Sequence, residues 1–244
     1  MFSAAILRMD ALMASHEGSG HGTRHCLRVA EHARLAVDHE NCITNDTRAA
    51  VIMAALLHEV DDDKYFATEN YQNARDILEE IMHLGQILES TWGQLVIEMI
   101  SLVSCSKNGN SVVEPRWKLI PRDCDRLEAI GAEGIRRCWQ YSQSIGRPLF
   151  LPETARAANV SDLSAIVTKE RFSNYATSRA RANTYGSATM IDHYYDKLLH
   201  YTPDTMLSNN SYVKEEAERR AAIMVDFVLY FGKTGELAPI PSER

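Results

Sequence analysis

No two cysteines of this chain stand at CxxC spacing. The five, Cys26, Cys42, Cys105, Cys124 and Cys138, are odd in number and widely spread. That argues against a thiolate zinc cluster and a disulfide framework, and predicts free thiols in a reducing compartment. Positive charge is also short: 26 Lys and Arg against 33 Asp and Glu give a net charge of -7. A nucleic-acid coat or a membrane-surface binder needs a basic face, so stable nucleic-acid binding is not expected. A small phosphorylated ligand needs only a local cluster of Lys and Arg. Long apolar runs are missing as well. The longest, Ala49 to Leu57, is too short to cross a bilayer. The N-terminal segment carries Arg8 and Asp10 within an amphipathic pattern, not the basic start and clean apolar stretch of a secretory signal. The expected location is cytoplasmic, with no membrane partner. There is no convincing alternating strand, internal repeat or low-complexity tract.

What is present is helical. The 244 residues, 45% hydrophobic and 24% charged, suffice for one large domain with a packed core. Over 24–37, Leu27, Ala30, Ala33 or Arg34, and Val37 recur at helical spacing beside a stripe of His25, Val29, His32 and Ala36. Residues 47–58 follow the helix-starting Asn45-Asp46-Thr47 and are apolar almost all round, as in a helix at the centre of a core. Tyr71 to Leu84, Thr91 to Val103, and Pro115 to Ile130 are further helical stretches. Lys107-Asn108-Gly109-Asn110 reads as a loop, and Gly131 and Gly134 loosen the turn after Ile130. Residues 144–162, with Gly146, Pro148 and Pro152, read as a long connection or insertion. Two helices follow, at about 188–200 and 211–231. The expectation is a single all-α domain over 1–244, with a metal-binding core at about 18–140 and a C-terminal helical part at about 160–232.

The densest chemistry is His58-Glu59-Val60-Asp61-Asp62-Asp63-Lys64, where an apolar helix ends in one imidazole and four carboxylates. Charges at the end of a core helix are costly unless paired or bound to a metal. Mixed N and O donors suit Mn, Fe, Co, Ni or Mg. Taken alone, an Asp-Asp-Asp run is usually a solvated loop. Two other segments add to it. His21-Gly-Thr-Arg-His25-Cys-Leu-Arg28-Val29 opens the earlier helix, and Arg122-Asp123-Cys124-Asp125-Arg126-Leu127-Glu128-Ala129-Ile130-Gly131 lies in a later one.

The ordered set HxxRV, an apolar helix ending in an HD-like pair, then DxDRLxAIG, resembles the HD-domain metal-dependent phosphohydrolases. It looks closest to the small bacterial branch with nucleotide pyrophosphohydrolase activity. Ser104-Cys-Ser-Lys107-Asn resembles a Ser-Phe-Ser-Lys loop of that family. His193-Tyr-Tyr-Asp-Lys197-Leu-Leu, Met206 and Arg220-x3-Met224-x2-Phe227 resemble its C-terminal helices. The likeness covers roughly residues 20 to 230 and implies an all-α HD-type helical bundle whose C-terminal helices cover the metal site.

Carried over residue by residue, the resemblance makes His25, His58, Glu59 and Asp125 the metal ligands, with Mn, Mg, Co, Ni, Fe or Zn as the divalent ion. Glu59 departs from the family, which has Asp there; it keeps the carboxylate and adds one methylene. Asp62 is the candidate to accept the proton of an attacking water, and Lys64 to hold phosphate oxygens. Arg28, Lys107, Arg126, His193, Lys197 and Arg220 are substrate-binding candidates. His21 matches a family position just ahead of His25, where it would neighbour the metal rather than bind it. His32 reads as a packed neighbour; His16, His39, His83 and His200 as solvent-facing; Cys26 and Cys124 as core. The implied function is hydrolysis of a small phosphorylated substrate, a nucleotide above all. Two alternatives accompany it: a catalytically impaired nucleotide-binding protein, which Glu59 favours, and a di-iron oxygenase of HD type. The latter needs further ligands between the HD-like pair and Asp125, where His83 is the one histidine.

Overall fold

In the computed structural model, residues 1–15, 21–41, 43–63, 65–82, 91–181 and 187–241 are described. Among them there is no strand. The helices are α1 (Phe2–Met13), α2 (Thr23–Asp38), α3 (Asn45–Leu57), α4 (Gln72–Met82), α5 (Thr91–Val103), α6 (Cys105–Asn108), α7 (Ile120–Glu128), α8 (Gly131–Ser144), α9 (Val160–Ile166), α10 (Lys169–Arg181), α11 (Met190–Asp196) and α12 (Ser211–Thr234). None is long and apolar enough to cross a membrane. The chain divides into two compact units. The first comprises Met1–Ser104, Ser111–Asp125 and Leu207–Val213; the second, Cys105–Asn110, Arg126–Met206 and Lys214–Arg244.

In the first unit α3 packs against both α2 and α5. Past its first turn α3 is apolar nearly all round, and Ala50, Val51 and Met53 through Leu57 are buried. Its start is fixed by the Thr44 hydroxyl, which accepts from the Thr47 amide at 3.2 Å. The C-terminus of α2 ends in orphan carbonyls, as every helix does. Arg48 donates to the carbonyls of Val37 and Glu40, and Asn210 Nδ2 donates to that of Ala36 at 2.9 Å. His32 Nδ1 and the Tyr212 hydroxyl share a hydrogen bond of 2.6 Å, so His32 is the packed neighbour that its position predicts. Leu27 is exposed, and the buried face of α2 runs instead through His25, Cys26, Val29, Ala33 and Ala36.

The second unit buries Ile135, Met190, Tyr194, Tyr195, Met224, Val228 and Phe231. Two close approaches depend on glycine. A Cβ on Gly232 would sit 1.7 Å from the Ala157 carbonyl oxygen, and Gly131, at φ +77°, meets the Arg220 stem at 3.0 Å.

Five local expectations need correction. Lys107 and Asn108 belong to α6 rather than to a loop; Gly109, at φ +52°, terminates that helix, its amide bonding Cys105 O at 2.8 Å. The stretch from Pro115 is a 3-10 turn, Arg116–Leu119, before α7 begins. Gly131 opens α8 rather than loosening a turn, and α9 starts inside the supposed connection, capped by Asn159 through a 3.0 Å bond from the Asp162 amide. His200 is half-buried, donating to the Tyr195 carbonyl at 3.1 Å, because the chain turns back there onto Phe172. His39 is exposed as expected, and Cys26 and Cys124 are buried. His16 and His83 lie outside the described residues, as does Cys42; the four described cysteines are free.

Candidate metal centre

Three elements of the first unit bring four donors together. His25 comes from the first turn of α2, His58 and Glu59 from the end of α3, and Asp125 from α7. One donor atom from each lies within 4.8 Å of all the others, and among the described residues this is the one such cluster. His25 Nε2 stands 3.2 Å from Asp125 Oδ1, 3.6 Å from Glu59 Oε1 and 3.3 Å from His58 Nε2. His58 Nε2 stands 3.5 Å from Glu59 Oε1 and 3.7 Å from Asp125 Oδ1.

These spacings test whether the donors fit an ion. Donors about 2.1 Å from one centre are roughly 3.0 Å apart at right angles and roughly 3.4 Å apart in a tetrahedron. The observed 3.2 to 3.7 Å straddles the tetrahedral value. The His58 tautomer agrees: its Nδ1–H donates to the Ala55 carbonyl at 2.8 Å, leaving Nε2 to face the other donors. Glu59 Oε2 is buried with no hydrogen-bond partner, which is costly for a carboxylate unless a cation lies nearby. The cluster can hold a divalent ion.

The same crowding sets the electrostatics. Burial disfavours a charged His58, but hydrogen bonds to Asp125 and Glu59 outweigh it and raise the imidazole to about 10. Burial would raise Glu59; the charge and hydrogen bond of His21, with hydrogen bonds from His25 and His58, hold it well below the ordinary carboxylate range. Asp125 is held low in the same way, against burial, by His25 and His58.

The rest of the acidic run divides by role. Asp61 is buried and accepts from the Thr68 hydroxyl at 2.6 Å and from the amides of Asn73 and Ala74 at 3.0 and 2.9 Å, capping the first turn of α4. Asp62 is half-buried and Asp63 exposed; Lys64 lies outside the described residues. In the third motif, Asp123 is fully buried and accepts from the Ser208 amide at 2.6 Å, while Arg122 donates to Ser111 O. Arg28, half-buried, follows His25 by three residues on α2.

The remaining candidates belong to the second unit. Three of them are linked by ring contacts through two tyrosines. The Arg126 guanidinium is 5.0 Å from the Tyr201 ring centroid, Lys197 Nζ is 5.8 Å from Tyr201 and 6.0 Å from Tyr175, and Tyr175 is 5.4 Å from the His193 ring. Arg126 donates to Thr205 O, Gly109 O and Asn110 Oδ1. Arg220 donates to Leu127 O and to Glu128 and Glu216. Lys107 is exposed on α6. The tyrosines carried no signal of their own in the sequence. His21 stands beside the cluster: its Nδ1 donates to Glu59 Oε1 at 3.1 Å.

No family model matches the chain. It is 41% identical over 234 residues to protein L803 of Acanthamoeba polyphaga mimivirus, covering 92% of this chain and 93% of that one. It is 30% identical over 146 residues to YpgQ of Bacillus subtilis, covering 59% of this chain and 67% of YpgQ. A solved structure from Lactobacillus plantarum, 25% identical, matches with a TM-score of 0.62 over 94% of this chain and 93% of its own. An HD-superfamily hydrolase of Bacillus thuringiensis, 23% identical, matches at 0.59 over 94% and 93%. YpgQ in complex with ADP matches at 0.57, 20% identical, over 94% and 96%. The chain therefore belongs to the family of L803 and YpgQ and has the HD-type all-helical fold.

Proposed function

We propose that this protein is a metal-dependent phosphohydrolase acting on a small phosphorylated substrate, a nucleotide. The observation that carries the proposal is the buried convergence of two imidazole Nε2 atoms with two carboxylates at coordination spacing. A divalent ion held by His25, His58, Glu59 and Asp125 would supply Lewis acidity toward a phosphoryl oxygen. The protein's own groups do the rest. The Ala55 carbonyl fixes the His58 ring. Asp62, half-buried three residues past Glu59, accepts the proton of the attacking water. Arg28 contacts phosphate oxygens, the role that its place in the sequence also gives Lys64.

In the second unit by itself, Lys107, Lys197 and His193 are candidate phosphate-binding groups. Arg126 and Arg220 brace the surrounding backbone through their bonds to carbonyls of Thr205, Gly109 and Leu127. Cations alternating with Tyr175 and Tyr201 suit a ligand with both negative charge and a flat ring. The ADP bound by the related YpgQ supports the nucleotide class.

The test is release of phosphate or pyrophosphate from nucleoside mono-, di-, tri- and cyclic phosphates by the metal-stripped full chain reloaded with Mn, Mg, Co or Ni. Hydrolysis that requires added metal is the expected result. Metal and nucleotide binding with no turnover under any ion would replace this reading with the impaired binding protein that the Glu59 departure suggests. Absence of metal binding would sink it.

A further inference from the structure

We infer that His21 is a positioning residue for Glu59, and that the pair is what lets this chain use a glutamate as a metal ligand. The inference rests on the metal reading above. His21 lies two residues ahead of α2, and its Nδ1–H donates to Glu59 Oε1 at 3.1 Å. A carboxylate oxygen has two lone pairs, so Oε1 accepts this bond and still faces His25 Nε2 at 3.6 Å and His58 Nε2 at 3.5 Å. The His21 ring is fixed in turn, lying edge-on to His25 at 5.8 Å and tilted against Tyr65 at 5.8 Å.

A glutamate has one more rotatable bond than an aspartate, and that freedom must be removed for its oxygen to wait at ligand distance. The hydrogen bond from His21 removes it. Shortening the side chain to aspartate withdraws the carboxylate by about one C–C bond, roughly 1.5 Å. A 3.1 Å hydrogen bond does not survive that displacement without movement of the backbone. His21 and Glu59 thus act as one unit.

Mn binding to the metal-stripped full chain, measured by titration calorimetry, tests this. His21→Phe keeps a ring against His25 and Tyr65 but has no donor; His21→Asn keeps a donor near the Nδ1 position but has no ring. His21→Phe is expected to weaken Mn binding by about ten- to a hundredfold, as loss of groups that orient metal ligands does, and His21→Asn to recover most of it. In a Glu59→Asp background, His21→Phe should have little further effect. Equal losses in the Phe and Asn variants, or an effect of His21→Phe that is the same in both backgrounds, overturn the inference. Wild-type affinity in all His21 variants defeats it while leaving the hydrolase reading intact. A wild-type chain that binds no divalent ion defeats both.

Discussion

Metal binding at this centre should release a proton and should strengthen steeply with pH. In the metal-free protein His58 is buried between Glu59 and Asp125, which raise it to about 10. A ligating imidazole must be neutral. At pH 7 an ion therefore displaces a proton that the two carboxylates hold on His58. Between pH 6.5 and 8.0 one displaced proton makes affinity rise about thirtyfold. Calorimetric titration with Mn in buffers of different ionisation enthalpy counts the protons and gives the affinity at each pH. Near one proton per ion from His58, with rising affinity, is expected. No proton release and a flat affinity over that range would refute the argument. The metal-free protein should show the opposite trend. His58 is raised above its ordinary 6.5, so its stabilising pairs are intact below that pH and are lost as pH rises toward 10. Glu59 and Asp125 are lowered, so their contribution holds above their ordinary values and disappears as pH falls through the acid range. The gap in Tm between metal-loaded and metal-free protein should thus widen from pH 6.5 to 8.0.

Other perturbations separate the site from its surroundings. His58→Ala should abolish stoichiometric metal binding, read by metal analysis after dialysis; full metal content with full activity would remove His58 from the ligand set. Glu59→Asp should lower nucleotide hydrolysis, up to about a hundredfold if the carboxylate shifts by about 1 Å, with metal content determined alongside; a clear gain would instead mark a decayed site repaired. Asp61→Ala should cost about 2–3 kcal/mol in urea unfolding, since it strips a buried charged acceptor from two amides and a hydroxyl, while metal stoichiometry is retained. An unchanged midpoint would show that α4 does not depend on this cap.

Helices with a strong apolar pattern were legible from the sequence because the pattern is itself the cause of their burial. The segment 91–103 is α5 over the same residues, and the apolar stretch before His58 is α3. The helix α10 escaped because its sequence is polar on most sides. It is tied to α11 by Arg171, which reaches Asp196 at 2.6 Å and Asp192 at 3.1 Å, partners more than twenty residues away. No local window contains that information. The same limit applies to the candidate site. Spacing and resemblance brought out His25, His58, Glu59 and Asp125, which the fold gathers from three helices. Charge density alone does not separate these from their neighbours: Asp61, Asp123 and Arg122 sit in the same motifs yet are occupied by backbone partners. Hydrogen-bonding capacity decides between those fates, and it becomes visible only when the neighbours are in place.

The electrostatics of the cluster also bear on whether Glu59 marks decay or adaptation. The buried Glu59 carboxylate, with the part-exposed Asp125 carboxylate across the same imidazoles, is tolerable only with a compensating positive charge. In the metal-free protein His58 carries it as a proton, raised to about 10 by the very groups that would share a cation with it. Proton and metal would thus compete for one donor set. A site released from metal binding would have no reason to keep this arrangement, because a hydrophobic replacement of a buried ion pair is often neutral or stabilising. Here both imidazoles, both carboxylates and the His21 bond to the longer one remain together. That retention argues that the glutamate is fitted to its neighbours rather than left over among them.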